Sequence, residues 1–186
     1  MLHTSHARPD HSSVILSRQN VPLNEEGAST RYRFLMDLLN DPDLHWSHFT
    51  GTPRFGYPID YWGAILHVGD DGHLDFAYRW APNSYCHFHR HLCSTTSTVI
   101  AGELHVTDFD DDGNETGVRI RRVGDYSHTV EPDVHMERGG PDGAIAVFNL
   151  YAPDGLLTDV LADDHSVIRT NTVDQVIEAW RRPVAH

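Results

Sequence analysis

The chain has 186 residues, room for one good domain, with 39% hydrophobic and 22% charged residues, both ordinary for a globular protein. Its formal net charge of -13 argues against nucleic acid as a partner, because phosphate binding needs clustered positive charge. A mean hydropathy of -0.44 and no long apolar run exclude a membrane-spanning helix, and the opening MLHTSHARPDHSS lacks the apolar stretch of a secretory signal, so a cytoplasmic location is expected.

All 14 basic residues are Arg, so lysine Schiff-base chemistry is closed to this chain. The 15 histidines exceed what a core needs, and histidine is the common neutral metal ligand. The two cysteines, Cys86 and Cys93, flank the densest histidine segment and form no CxxC pair, which excludes a structural zinc site of that kind. In a cytoplasmic chain they should be reduced.

Residues 1–13 are polar and aperiodic and read as a tail; His3, His6 and His11 within it carry no assigned role. Residues 14–186 read as a single domain. A helix is predicted at about 30–40, capped by Ser29 or Thr30, with Phe34, Leu35, Leu38 and Leu39 on one face and Asp41-Pro42 at its end. Residues 45–60 form an irregular aromatic segment, expected to pack on the body of the protein or on a neighbouring subunit, with a pocket mouth as the sharper reading.

From Tyr61 the pattern turns to strands. YWGAILHVG and LDFAYRWAP are joined by a Gly69–Gly72 turn, and further strands fit at about 85–91, 96–107, 118–123, 126–131 and 143–152. Asp108–Gly113 has the first half of a calcium loop, but Arg119 stands where the bidentate Glu is needed, so a solvated hairpin turn is expected. The Gly139–Gly143 run, which lacks a phosphate-loop Lys, is read as another turn. A C-terminal helix follows, with Thr172 and Gln175 as a capping box and Val173, Val176, Ile177 and Trp180 as its apolar stripe; its role is read as structural. Many short strands point to an all-β sandwich or barrel.

The chemistry sits in Cys86-His87-Phe88-His89-Arg90-His91-Leu92-Cys93. Side chains alternate along a strand, so His87, His89 and His91 share one face. Residues two apart lie roughly 6–7 Å apart at the backbone, close enough for two imidazoles to converge on one ion. Either His89 with His91 or His87 with His89 could be that pair.

This segment resembles the first motif of the cupin superfamily: HxH, three or four residues, Glu, six residues, Gly. Here it reads His89-Arg90-His91, three residues, Thr95, six residues, Gly102, so Thr95 replaces the usual glutamate. The second motif is matched by Gly124, Pro132 and His135, while its final Asn falls at Gly139. The resemblance covers about residues 60–153. It implies a double-sheet jelly-roll barrel with an N-terminal helical arm and a C-terminal helix, and a metal on His89, His91 and His135. Barrels of this size often pair, so a homodimer is expected.

The three-histidine pattern is similar to acetylacetone-cleaving, thiol and, nearest, 2,4'-dihydroxyacetophenone dioxygenases. It implies iron(II), O2 and a small hydroxyketone or diketone whose carbon–carbon bond is cleaved. With no carboxylate among the ligands, the ion keeps its full charge and open positions for a chelating anion and O2. Zinc, nickel, manganese and copper are the alternative metals. A redox-neutral isomerase, lyase or hydrolase, or a cupin that senses a metal or ligand without catalysis, are the other functions weighed.

Around the ligands, His87 is expected to line the pocket or substitute as a ligand. Thr95, with Ser97, is expected to face inward and hold water or substrate, although Thr also simply favours strands. Glu137, two residues after His135, is placed either to support a ligand histidine or on the surface. Cys93 reads as a small buried hydrophobe, and the direction of His128 is left open.

Overall fold

The computed structural model describes residues 44–52, 55–110, 113–130 and 132–181. The expected tail and the helix at 30–40 lie outside them. The described residues belong to one compact unit of ten strands and one helix. The strands are β1 (Ser47–Thr50), β2 (Asp60–Val68), β3 (His73–Trp80), β4 (His89–His91), β5 (Ser94–Phe109), β6 (Glu115–Arg122), β7 (Tyr126–Thr129), β8 (Asp133–Tyr151), β9 (Leu156–Leu161) and β10 (Val167–Thr172). The helix, α1, spans Val173–Arg181.

The strands pair antiparallel in the order β1-β2-β3-β8-β4-β9-β10, and β5 joins β8 on one side and β6 and β7 on the other. The curl comes from β5 and β8, which run together for most of their length. The first part of β8 pairs with β4, placing His135 opposite His89. Its later part pairs with β3, Ala144 opposite Trp80. One long strand thus joins the histidine-bearing strand to the hydrophobic wall.

The side-chain pattern explains how this corner turns. In β5, Thr95, Ser97 and Val99 are buried, and after the corner Leu104 and Val106 are. The inward parity flips from odd to even at Gly102, which adopts φ +67° where the β5–β8 register shifts. A Cβ there would stand 2.2 Å from the Gly143 carbonyl oxygen, so only glycine fits. The turn expected at Gly139–Gly143 is therefore a corner inside β8. The core behind it contains Leu74, Phe76, Trp80, Leu104, Phe148 and Leu150.

Two other expectations change, at β1 and at β9 and β10, while the hairpin after β5 and the capping box are as expected. The aromatic segment at 45–60 contains a true strand, β1, whose Phe49 stacks on Tyr61 at 4.8 Å. Residues 156–172, assigned no strand from sequence, form β9 and β10. The hairpin at Asp108–Asn114 is closed by the Arg119 guanidinium, which donates to the Asp108 carboxylate at 2.6 Å where a calcium loop would have a ligand. The capping box at Thr172 forms in both directions: the Thr172 N–H donates to Gln175 Oε1 at 3.1 Å, and the Gln175 N–H to Thr172 Oγ1 at 3.4 Å.

Strand β4 is only three residues long, so its place depends on anchors. Arg90, between the two histidines, donates to Asp159 Oδ2 at 2.6 Å, and the Thr170 hydroxyl donates to Asp159 Oδ1 at 2.6 Å. Burial opposes ionisation of Asp159, but these two bonds outweigh it and hold the carboxyl below its ordinary range. A depressed folded value contributes stability above the unfolded value, which is lost as pH falls through the folded one. Asp159→Asn should lower the unfolding free energy near neutral pH by about 1–3 kcal/mol. In urea melts over a pH series, the gap between wild type and variant should close below about pH 4.

Candidate metal centre

His89 and His135 are direct cross-strand partners on β4 and β8, and His91 lies two residues along β4 on the same face. Their ligand nitrogens all lie within 4.8 Å of one another. The two Nε2 atoms of His89 and His91 are 3.1 Å apart. His91 and His135 are buried, and His89 is partly so.

Each ring is held from behind. The His89 Nδ1–H donates to the His87 carbonyl at 2.8 Å. The His135 Nδ1–H donates to the Asp133 carboxylate at 2.9 Å. The Thr95 hydroxyl gives its proton to the Cys93 carbonyl at 3.2 Å, leaving its oxygen to accept the His91 Nδ1–H at 3.0 Å. With Nδ1 as donor on all three rings, every Nε2 presents a lone pair to the centre. His135 Nε2 is buried and has no partner among the described residues. Burial, reinforced by the neighbouring imidazoles, lowers the His89 pKa to about 3 and drives that of His91 well below its ordinary value. Both rings are therefore held in the neutral form that binds metal. Three converging lone pairs without a proton between them suit a divalent cation, and the residues fit the group that the sequence implies.

The other candidates take distinct places. Thr95, at the position of the usual glutamate, is buried and supports His91 from behind. His87 stays outside the ligand group: its Nδ1 accepts from the Tyr61 hydroxyl at 3.1 Å and its ring meets Phe55 edge-on at 5.1 Å. Glu137 is 5% exposed, which removes the surface reading, and its carboxyl accepts from the Cys86 thiol at 3.9 Å. Burial raises the Glu137 carboxyl above its ordinary pKa. Ser97 faces inward and accepts from Arg121 at 2.8 Å. Cys93 is buried, while His128 is exposed beside Ser94 and away from the centre.

A cavity of about 270 Å³ opens beside His89 and His91. Its walls include Tyr61, Ile65, Phe76, Tyr78, Phe148 and Val160, with His87 and Glu137 also at its edge. Helix α1, read as purely structural, contributes Gln175, Val176 and Ala179. A much smaller polar cavity of about 20 Å³ lies on the Thr95, Asp133 and His135 side. Sequence reasoning missed Asp133 and Cys86. Asp133 carried a signal, since it lies two residues before His135 and so on the same strand face.

No family model matches the chain, and no curated protein does. Solved structures do. A candidate acetylacetone dioxygenase from Methylibium petroleiphilum superposes with a TM-score of 0.58 at 17% identity, covering 77% of this chain and 92% of that one. An acetylacetone dioxygenase from Acinetobacter johnsonii gives 0.54 at 12% identity, covering 95% and 97%. An RmlC-like cupin protein from Ralstonia eutropha gives 0.56 at 12% identity, covering 76% and 82%. At such identities the likeness shows the fold alone, an all-β cupin-type barrel with a C-terminal helix; the three histidines that could hold a metal are seen in this chain itself.

Proposed function

We propose that the protein is an iron(II)-dependent dioxygenase that cleaves a carbon–carbon bond in a small hydroxyketone or diketone. The observation that carries this reading is the ligand set: three neutral imidazoles with fixed tautomers and no carboxylate among them. Such a set would leave a bound ion its charge and open positions, and His89 and His91 line the 270 Å³ cavity in which a substrate could sit. The likeness in fold to acetylacetone dioxygenases supports the same chemistry.

A ferrous ion held by His89, His91 and His135 would supply the electron-rich centre at which a chelating substrate and O2 meet. For a hydroxyketone R–CO–CH2OH, the balanced outcome with one O2 is R–COOH and HCOOH. The carbon–carbon bond breaks and the O2 atoms end in the two acids. The protein's part is placement. Thr95, Asp133 and the His87 carbonyl hold the ligand rings at one angle and in one tautomer. The aromatic and aliphatic walls exclude water and hold the substrate's body. Glu137 and the Tyr61–His87 pair border the cavity next to the ligands, where they would contact substrate oxygens.

Elemental analysis of untagged protein should find about one iron per chain, and much less in His89→Ala and His135→Ala. The iron protein should take up O2 with hydroxyketones or diketones. Zinc or nickel at that level, with no O2 uptake after iron reconstitution, would replace this reading by a redox-neutral one.

The supporting bonds have their own test. Thr95→Val and Asp133→Ala remove a partner of a ligand ring without removing a ligand. Each should weaken metal affinity about 10–100-fold in a competition titration with a chelator. Unchanged affinity in both would show that the rings need no support from behind.

A further inference from the structure

The cavity has a charged end as well as a metal end. Strands β4, β9 and β10 are adjacent, and their registers align His89 with Val160 and Val160 with Arg169. All three residues line the cavity. The next row repeats the arrangement with His91, Thr158 and Asn171, again all on the cavity. The alternate residues of these strands, Arg90, Asp159 and Thr170, bond to one another on the opposite face. Arg169 therefore stands two strand spacings from His89, about 10 Å between Cα atoms, on the same inner surface.

The surroundings of Arg169 set it apart. Six other arginines have described side chains, and each has a partner. Arg90 binds Asp159, Arg119 binds Asp108, Arg121 binds Ser97, Arg122 binds Glu103 and Arg138 binds His105. Arg79 lies 4.9 Å over the Trp62 ring. Among the described residues, the Arg169 side chain has no hydrogen bond, ion pair or ring contact. It is exposed at the cavity mouth, yet its charge reaches inward to Tyr61 and His87. Its neighbour Asn171 is already oriented, donating from Nδ2 to Thr158 Oγ1 at 2.8 Å, which leaves the amide oxygen and the other amide hydrogen for a ligand. Gln175 borders the same cavity.

We propose that the substrate is a small acid with an apolar or aromatic body: its carboxylate is held at the mouth by Arg169, and its other end reaches the three histidines. The guanidinium fork matches a carboxylate. Between the ends, Tyr61, Ile65, Tyr78, Phe148 and Val160 form an apolar sleeve suited to one ring or a short chain. In a chain of net charge -13, long-range attraction would not gather anions, so a cation at this mouth with no partner among the described residues acts by local contact. The proposal rests on the histidine site as the chelating end of the same cavity.

The test is equilibrium binding under argon, by calorimetry on the protein as purified with its metal. The two probes are 4-(hydroxyacetyl)benzoate and 4-(hydroxyacetyl)benzamide, which differ in charge but hardly in shape. Wild type should bind the benzoate about tenfold more tightly than the benzamide, a modest gain because the arginine is partly in water. Arg169→Gln should erase that preference while leaving benzamide binding and the thermal melt unchanged, and Arg169→Lys should keep part of it. Equal binding of both probes by wild type, a benzoate preference that survives Arg169→Gln, or no binding of either probe would overturn the proposal. Binding that follows the expected pattern without O2 uptake in air would count against the dioxygenase reading alone. O2 uptake with neutral hydroxyketones and no preference for the acid would count against Arg169 alone.

Discussion

Three imidazole lone pairs facing one another inside a barrel repel, and the rest of this structure is organised to hold them there. Two Nε2 atoms lie 3.1 Å apart and the third is buried with no partner among the described residues. That arrangement is costly as it stands and becomes favourable only around a positive charge. The protein prevents the rings from escaping it. Each Nδ1 is tied to a different kind of acceptor: a carbonyl, a hydroxyl and a carboxylate. Strand β4 cannot shift without breaking the Arg90–Asp159–Thr170 chain of bonds on its other face.

The substitution of Thr95 for the usual glutamate fits this logic. A carboxylate at that position would add a negative ligand. The hydroxyl instead stays behind His91 and sets its tautomer. Charge neutralisation is left to whatever else occupies the cavity, and a chelating anion is well suited to it. The same cavity is otherwise apolar, so polar groups at its two ends do most of the choosing.

Much of this was legible in the sequence, because it depends on short-range rules. The HxH alternation, the Pro132–His135 spacing and the capping box at Thr172 are local patterns with direct structural readings. The long partnership of β5 and β8 was not legible. The parity flip at Gly102 depends on close approach to Gly143, 41 positions away, beside its ladder partner Ala144. Strands β9 and β10 were missed because they are short and split by the turn at Asp163–Ser166, so no sustained alternation announces them. With β10 went Arg169 and Asn171, and with the corner in β8 went the reason that Glu137 is buried. Histidine pairing was visible as periodicity; what surrounds the histidines depended on which distant strands came to lie beside them.

The division of labour along the chain has an evolutionary consequence. The ligands and their supporting groups fall between His87 and His135, whereas the cavity mouth is built from β1 and β2 on one side of that stretch and β10 and α1 on the other. Mutations that reshape the mouth need not disturb the metal centre. A lineage carrying this barrel can therefore change what it admits by drift in its flanking strands, while the segment that carries the three histidines stays under its own constraint.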